Sequence, residues 1–80
     1  MIHVRVILHS VLRDLLPPET NGRTDMAFED GSDLMAVYHQ LGVPRQAVAA
    51  VNGEIIRDLT RELQDGDEVR FFRAGAGGCV

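Results

Sequence analysis

The stretch Val51-Asn52-Gly53-Glu54-Ile55-Ile56 decides the fold of this 80-residue chain. An Asn-Gly pair readily adopts the two consecutive positive φ angles that a two-residue hairpin turn needs. Apolar residues precede the turn from position 47 and follow it to position 56. The sequence therefore predicts a β-hairpin here, with arms at residues 47–51 and 54–56.

Downstream of the hairpin, the chain returns to the sheet through a crossover that contains the tight turn Asp65-Gly66-Asp67. Residues 68–73 are predicted to form the last strand. Its side chains divide between two faces, with Val69 and Phe71 on one and Arg70 and Phe72 on the other.

Upstream, two alternating segments predict a pair of strands at residues 2–9 and 24–29. The first places one set of side chains inward and another outward, namely Ile2, Val4, Val6 and Leu8 against His3, Arg5, Ile7 and His9. Ile7 is the apolar exception on the polar face. Because Asn21-Gly22 can reverse the chain, we expect the second strand to run back beside the first.

A helix is predicted between these strands and the hairpin. Ser32 is the expected N-cap, and Gly42 is the expected end. The i, i+3, i+4, i+7 spacing of one apolar face is carried by Leu34, Val37, Tyr38 and Leu41. Strands with a helix on one face indicate an α+β domain. We expect a core that contains Val4, Val6, Leu34, Val37, Leu41, Leu63, Val69 and Phe71.

The composition of the chain argues against several classes of function. The net charge is −4 and no basic cluster is present, which argues against nucleic acid as the main partner. No apolar run approaches the roughly 20 residues that span a bilayer, so we expect no membrane segment and a cytoplasmic location. The single cysteine, Cys79, cannot form an intramolecular disulfide.

No metal site is expected either. His3 and His9 are six residues apart, which separates them by roughly 20 Å along a strand. The acidic segment at residues 65–68 lacks the spacing and number of oxygen ligands of a calcium loop.

The last six residues, Gly75-Ala76-Gly77-Gly78-Cys79-Val80, are nearly all small. They offer too little apolar area to stabilise a fold, so we expect either a tail that reaches into a partner or a frayed chain end. The chain is therefore predicted to be one domain, residues 1–80, with residues 74–80 as a flexible tail.

Four segments carry a resemblance to a known family, namely Val51-Asn52-Gly53-Glu54, residues 63–69, Phe71-Phe72 and Gly77-Gly78. In this order and spacing they resemble the ubiquitin-like β-grasp sulfur carriers, which include the molybdopterin synthase small subunit and the thiamine-biosynthesis sulfur carrier. The resemblance implies a ubiquitin-like β-grasp fold, with a mixed four- to five-stranded sheet packed on one main helix.

The resemblance also implies that a ubiquitin-activating-like enzyme uses ATP to adenylate the carboxylate of Gly78. A sulfur donor then converts the adenylate to a thiocarboxylate, which a sulfur-acceptor enzyme consumes. Gly75, Gly77 and Gly78 let the backbone thread a narrow channel. The carrier has no catalytic residue, bound cofactor or metal of its own, and it acts as a substrate or as a non-catalytic subunit of a synthase.

The sequence departs from the family where Cys79-Val80 follow the glycine pair. The carbonyl of Gly78 then belongs to a peptide bond, so the chain is expected to be a pro-form. Some relatives of this kind are trimmed by a zinc-dependent JAMM-type metallopeptidase, which implies cleavage between Gly78 and Cys79. Attack of the Cys79 thiol on Gly78 is an alternative that should be slow without assistance.

A partner-binding surface is expected beside the tail. Phe72 and Ile7 fall on outward faces, and we expect them to form one exposed apolar patch surrounded by Arg5, Arg70 and Arg73. This patch would contact the adenylating enzyme or the sulfur acceptor. Two other functions stay open: a protein modifier joined through Gly78 to lysines of other proteins, and an interaction module whose tail is vestigial.

Overall fold

Five strands and one α-helix follow one another along the part of the chain that the structure describes. The computed structural model describes residues 1–44 and 46–73, apart from the side chains of residues 10 and 11. The elements are β1 (Ile2–Leu8), β2 (Arg23–Phe28), α1 (Leu34–Leu41), β3 (Val48–Val51), β4 (Glu54–Ile56) and β5 (Glu68–Phe72). Two short 3-10 helices, Ser10–Leu15 and Pro18–Thr20, connect β1 to β2. The predicted tail at residues 74–80 lies outside the described residues.

The strands form one mixed sheet in the order β2-β1-β5-β3-β4. β1 pairs antiparallel with β2 and parallel with β5, while β3 pairs antiparallel with both β4 and β5. The predicted mixed sheet is confirmed, with five strands. Its last strand in sequence, β5, occupies the centre.

The predicted hairpin turn is confirmed, since Asn52 and Gly53 have φ angles of 53° and 86°. The Asn52 side chain also joins this turn to the start of β5. Its Nδ2 donates to Asp67 Oδ1 at 2.9 Å, and its Oδ1 accepts from the Glu68 amide at 3.0 Å. Through these hydrogen bonds, the Asn-Gly turn and the later Asp-Gly-Asp turn form one connected unit.

The helix begins one residue later than the predicted cap implies. Asp33, not Ser32, is the N-cap, and its Oδ1 accepts from the Ala36 amide at 3.2 Å. The Leu34 amide donates to the Arg61 carbonyl at 3.0 Å, so the crossover also satisfies the first turn. The predicted end is confirmed, since Gly42 is the C-cap, with a φ of 72°.

The core lies between α1 and the inner face of the sheet. Of the eight predicted core residues, all but Leu41 are buried; Leu41 ends the helix and is only partly covered. Tyr38 contacts Phe71 edge to face, with ring centroids 5.0 Å apart. Its hydroxyl donates to the Ala47 carbonyl at 2.7 Å, and burial raises the pKa of Tyr38.

Candidate functional site

The site is organised by β5, because this central strand leads directly into the predicted tail. It is hydrogen-bonded to β1 on one side and to β3 on the other. Val69 and Phe71 are fully buried in the core, whereas Arg70 and Phe72 alternate with them on the opposite face of the sheet. We call this opposite side the outer sheet face. The tail residues Gly75, Gly77, Gly78 and Cys79 lie outside the described residues.

One row of residues crosses the whole outer sheet face. Ile7 pairs with Arg23 on β2 and with Arg70 on β5. Arg70 pairs in turn with Ala50, and Ala50 pairs with Ile55 on β4. Since directly paired residues share a face of the sheet, cationic and apolar side chains alternate from Arg23 to Ala50, and Ile55 ends the row with a second apolar side chain.

The prediction that Ile7 is an exposed part of the patch is wrong. Ile7 is only 7% exposed, although it lies outside the core cluster. Both of its paired neighbours are arginines, Arg23 and Arg70, whose long aliphatic stems can cover an apolar neighbour while their charged ends stay in water. Ile7 therefore lies on the outer sheet face but adds little exposed apolar surface to it.

Phe72 does lie exposed on the outer sheet face, at 36%. Its paired residue on β3 is Val48, and its ring is stacked on that of His9, with centroids 4.9 Å apart and planes 4° apart. The register opposes Ile7 to Arg70 rather than to Phe72. The aromatic surface next to the tail is thus a Phe72–His9 pair, not a Phe72–Ile7 pair.

The charged groups of this face are partly paired among themselves. Arg70 Nε lies 3.0 Å from Glu68 Oε1, and the Arg70 side chain keeps 40% of its surface exposed. Arg5 Nε lies 3.7 Å from Asp25 Oδ1, and both of these side chains are largely exposed. Arg73 is exposed at the end of the described residues. The outer sheet face therefore offers accessible guanidinium groups at Arg5, opposite the start of β5, and at Arg70.

Sequence reasoning missed two contributors to this face, Ala50 and Ile55, and it missed the stack of the outward residue His9 on Phe72. Ile55 is 58% exposed, Ala50 is buried although it lies outside the core cluster, and His9 forms the stack with Phe72. Continuing the alternation from β5 through the hairpin register would have placed Ala50 and Ile55 on the outer sheet face. No signal in the sequence identifies the stack before the β1–β5 register is known.

The acidic turn serves the fold. Asp67 is 6% exposed, and its carboxylate accepts from Asn52 Nδ2 at 2.9 Å and from the Gln64 amide at 2.8 Å. Within residues 1–44 and 46–73, no group of three or more histidine, cysteine or acidic residues could hold a metal ion. In the same ranges, no helix is long and apolar enough to cross a membrane.

Within residues 1–44 and 46–73, a five-stranded mixed sheet packs on one α-helix, and its first and last strands form a parallel pair. This architecture defines a ubiquitin-like β-grasp protein. The sequence model of the ThiS family matches residues 14–78. Because this match covers most of the sequence, the chain belongs to the ThiS family. No curated protein sequence matches it.

Solved structures share the fold at low sequence identity. A putative molybdopterin converting factor, subunit 1, from Pyrococcus furiosus is 18% identical, with a TM-score of 0.76 over 92% of this chain and 99% of that one. Small archaeal modifier protein 1 of H. volcanii is 13% identical, with the same TM-score and coverage. A chain from the complex of subunits 1 and 2 of molybdopterin-converting factor from Helicobacter pylori 26695 is 18% identical, with a TM-score of 0.66 over 96% of this chain and 100% of that one.

Family and fold together support a role of the sulfur-carrier or ubiquitin-like-modifier kind. Small proteins of this kind are generally non-catalytic.

Proposed function

We propose that this protein is a sulfur carrier whose Gly78 carboxylate, once exposed, becomes a thiocarboxylate that donates sulfur in cofactor or metabolite biosynthesis. The observation that carries the proposal is the ThiS family match, which extends to the glycine pair and ends at residue 78. The central position of β5, which leads toward that pair, supports it.

The chemistry needs activation because a carboxylate is a poor acylating group. The Gly78 carboxylate attacks the α-phosphorus of ATP on the adenylating enzyme, which gives an acyl adenylate and releases pyrophosphate. Hydrosulfide, or its equivalent from a sulfur donor, then displaces AMP and leaves a thiocarboxylate. The carrier supplies the reacting carboxylate, while the partner enzyme supplies ATP, metal and catalytic groups.

Processing must precede activation, because Cys79 follows Gly78 and the Gly78 carbonyl is part of a peptide bond. We propose that a JAMM-type metallopeptidase hydrolyses the Gly78–Cys79 bond, adding water and exposing the Gly78 carboxylate. The end of the family match at residue 78 supports this site, since Cys79 and Val80 lie beyond the matched residues.

The outer sheet face is proposed as the surface that partners recognise. The exposed apolar area of this face comes from Phe72 and Ile55, beside the guanidinium group of Arg70. Phenylalanine and arginine are both enriched at protein interfaces. Arg73 extends the charge toward the tail. The Helicobacter pylori structure is a complex of two subunits, which supports a partner enzyme for the present chain as well.

Mass spectrometry tests this proposal directly. The full sequence and a variant ending at Gly78 are incubated with the cognate adenylating enzyme, ATP and sulfide, and a variant ending at Gly77 serves as the matched control. We expect pyrophosphate release and an oxygen-to-sulfur mass gain only for the variant ending at Gly78. A thiocarboxylate at Gly78 in the full sequence without trimming would refute the processing step, and no thiocarboxylate in any variant would refute the carrier function.

A second function, protein modification, is favoured by the structural match to small archaeal modifier protein 1. In that case Gly78 would form isopeptide bonds with lysines of other proteins. All eight basic residues of this sequence are arginines, so no lysine among these 80 residues can accept a second copy. Single adducts on cellular proteins would support modification, whereas a thiocarboxylate on the free protein would support sulfur transfer.

A further inference from the structure

His9 connects the end of β1 to the outer sheet face. Its backbone amide donates to the Phe71 carbonyl at 3.1 Å, which extends the pairing of β1 and β5 one residue beyond Leu8. This bond fixes the backbone of His9 beside Phe72. The position of the imidazole therefore follows from the parallel register and not from a flexible loop.

The imidazole contacts Phe72 as a flat ring. The two planes are nearly parallel, at 4°, and the centroids are 4.9 Å apart, which is the separation of an offset stack. The Nε2 atom of His9 is buried and has no hydrogen-bond partner among the described residues. The side chain thus contributes a stacking surface at this position.

A stack of this kind restricts the motion of Phe72. The phenylalanine stands on an otherwise open sheet face, one residue before Arg73, where the described part of the chain ends. An exposed aromatic ring that must settle into a partner pocket loses rotamer freedom on binding, and a ring already held in place loses less. Pre-orientation would therefore improve the affinity of the outer sheet face without adding a contact to the partner.

We propose that His9 is a positioning residue that holds the Phe72 ring in the orientation that the adenylating enzyme recognises. The proposal rests on the proposed function of the outer sheet face as the docking surface. It assigns His9 no contact with ATP or with the Gly78 carboxylate. Its effect should consequently appear in the binding of the carrier and not in the chemical step.

Two substitutions at His9 separate stacking from other roles. His9→Ala removes the stack, whereas His9→Phe keeps a planar ring without its nitrogens. His39→Ala removes a histidine from an exposed position on α1 and is the matched control. In the variant ending at Gly78, we expect His9→Ala to raise the KM for the carrier about two- to tenfold, the range expected for one aromatic pair, with kcat unchanged. His9→Phe should restore the KM, and His39→Ala should leave it unaltered.

The NMR spectrum of the free carrier provides a readout that needs no partner. The Phe72 ring protons should lose the upfield shift of a stacked ring in His9→Ala and keep it in His9→Phe. The inference is overturned if these shifts do not change in His9→Ala, if His9→Phe behaves like His9→Ala, or if kcat falls while KM is unchanged. If Phe72→Ala raises KM and His9→Ala does not, this inference alone fails. If Phe72→Ala leaves KM unchanged, the docking surface fails with it.

Discussion

Truncation of the two neighbouring phenylalanines of β5 separates the fold from partner binding. Phe71 is fully buried and packs edge to face on Tyr38, whereas Phe72 is 36% exposed on the outer sheet face. The two side chains have the same size and adjacent positions, so each variant is the control for the other. Only the face of the sheet differs between them.

The structure gives different magnitudes for the two changes. Phe71→Ala should lower the free energy of unfolding by about 3–5 kcal/mol, the usual cost for a fully buried phenylalanine. For Phe72, about two-thirds of the surface is covered, which corresponds to about 1–2 kcal/mol when full burial is worth about 1.5–3 kcal/mol. At roughly 4–8 °C per kcal/mol for a domain of this size, Phe71→Ala should lower the Tm by about 12 °C or more, and Phe72→Ala by clearly less.

Binding should show the opposite ranking. If Phe72 is a hot spot of the docking surface, Phe72→Ala should weaken the complex with the adenylating enzyme by about 2 kcal/mol or more, which is about 30-fold in Kd. Calorimetry measures this Kd at a temperature where both variants are folded, and a thermal melt gives the two Tm values. Equal losses of Tm in the two variants, or an unchanged Kd for Phe72→Ala, would show that the assignment of faces to roles is wrong.

Three further changes test the fold around the site. Tyr38→Phe removes the hydroxyl bond to a buried carbonyl and should cost about 1–2 kcal/mol in urea unfolding at neutral pH. Because burial raises the Tyr38 pKa above its ordinary 10.0, the wild type should also lose stability as the pH rises from 10.0 through the folded-state value, and Tyr38→Phe should lose less. Asp67→Ala removes the acceptor of the Asn52 side-chain amide and of the Gln64 backbone amide, so it should lower the free energy of unfolding by about 2–3 kcal/mol. Asp67→Asn should cost less, and equal losses in the two variants would contradict the hydrogen-bond account. Gly22→Ala should lower the unfolding midpoint much more than Gly31→Ala. Both glycines have positive φ, but of the two only Gly22 would place a Cβ 2.6 Å from the Leu8 carbonyl oxygen. Similar unfolding midpoints for both variants would argue against that clash.

The order of elements, the hairpin and most of the core could be predicted because they depend on local periodicity and turn chemistry. The cap of α1 could not, since Ser32 and Asp33 are both good caps and the crossover decides between them by pairing Arg61 with Leu34. Alternation likewise assigns Ile7 to a face, but its exposure depends on the arginines that long-range pairing places beside it.

The residues of the site could be predicted from the sequence about as far as the fold could. The alternation of β5 correctly placed Arg70 and Phe72 outward, because a period of two needs no tertiary information. The Phe72–His9 stack required the parallel register of β1 and β5, which joins residues from opposite ends of the described chain. Long-range register is the information that single-sequence periodicity lacks.

The central place of β5 bears on how a glycine tail can be activated. Under the proposed function, an enzyme that draws the tail into a narrow channel would pull on the strand that precedes it. An edge strand would resist with one row of hydrogen bonds, but β5 is held by β1 on one side and by β3 on the other. Val69 and Phe71 add fully buried side chains beneath it, and strands of this kind open only with the whole domain. β5 can therefore keep its place in the sheet while the tail of small residues enters a partner. Arg70 and Phe72 then stay at fixed positions for that partner to recognise.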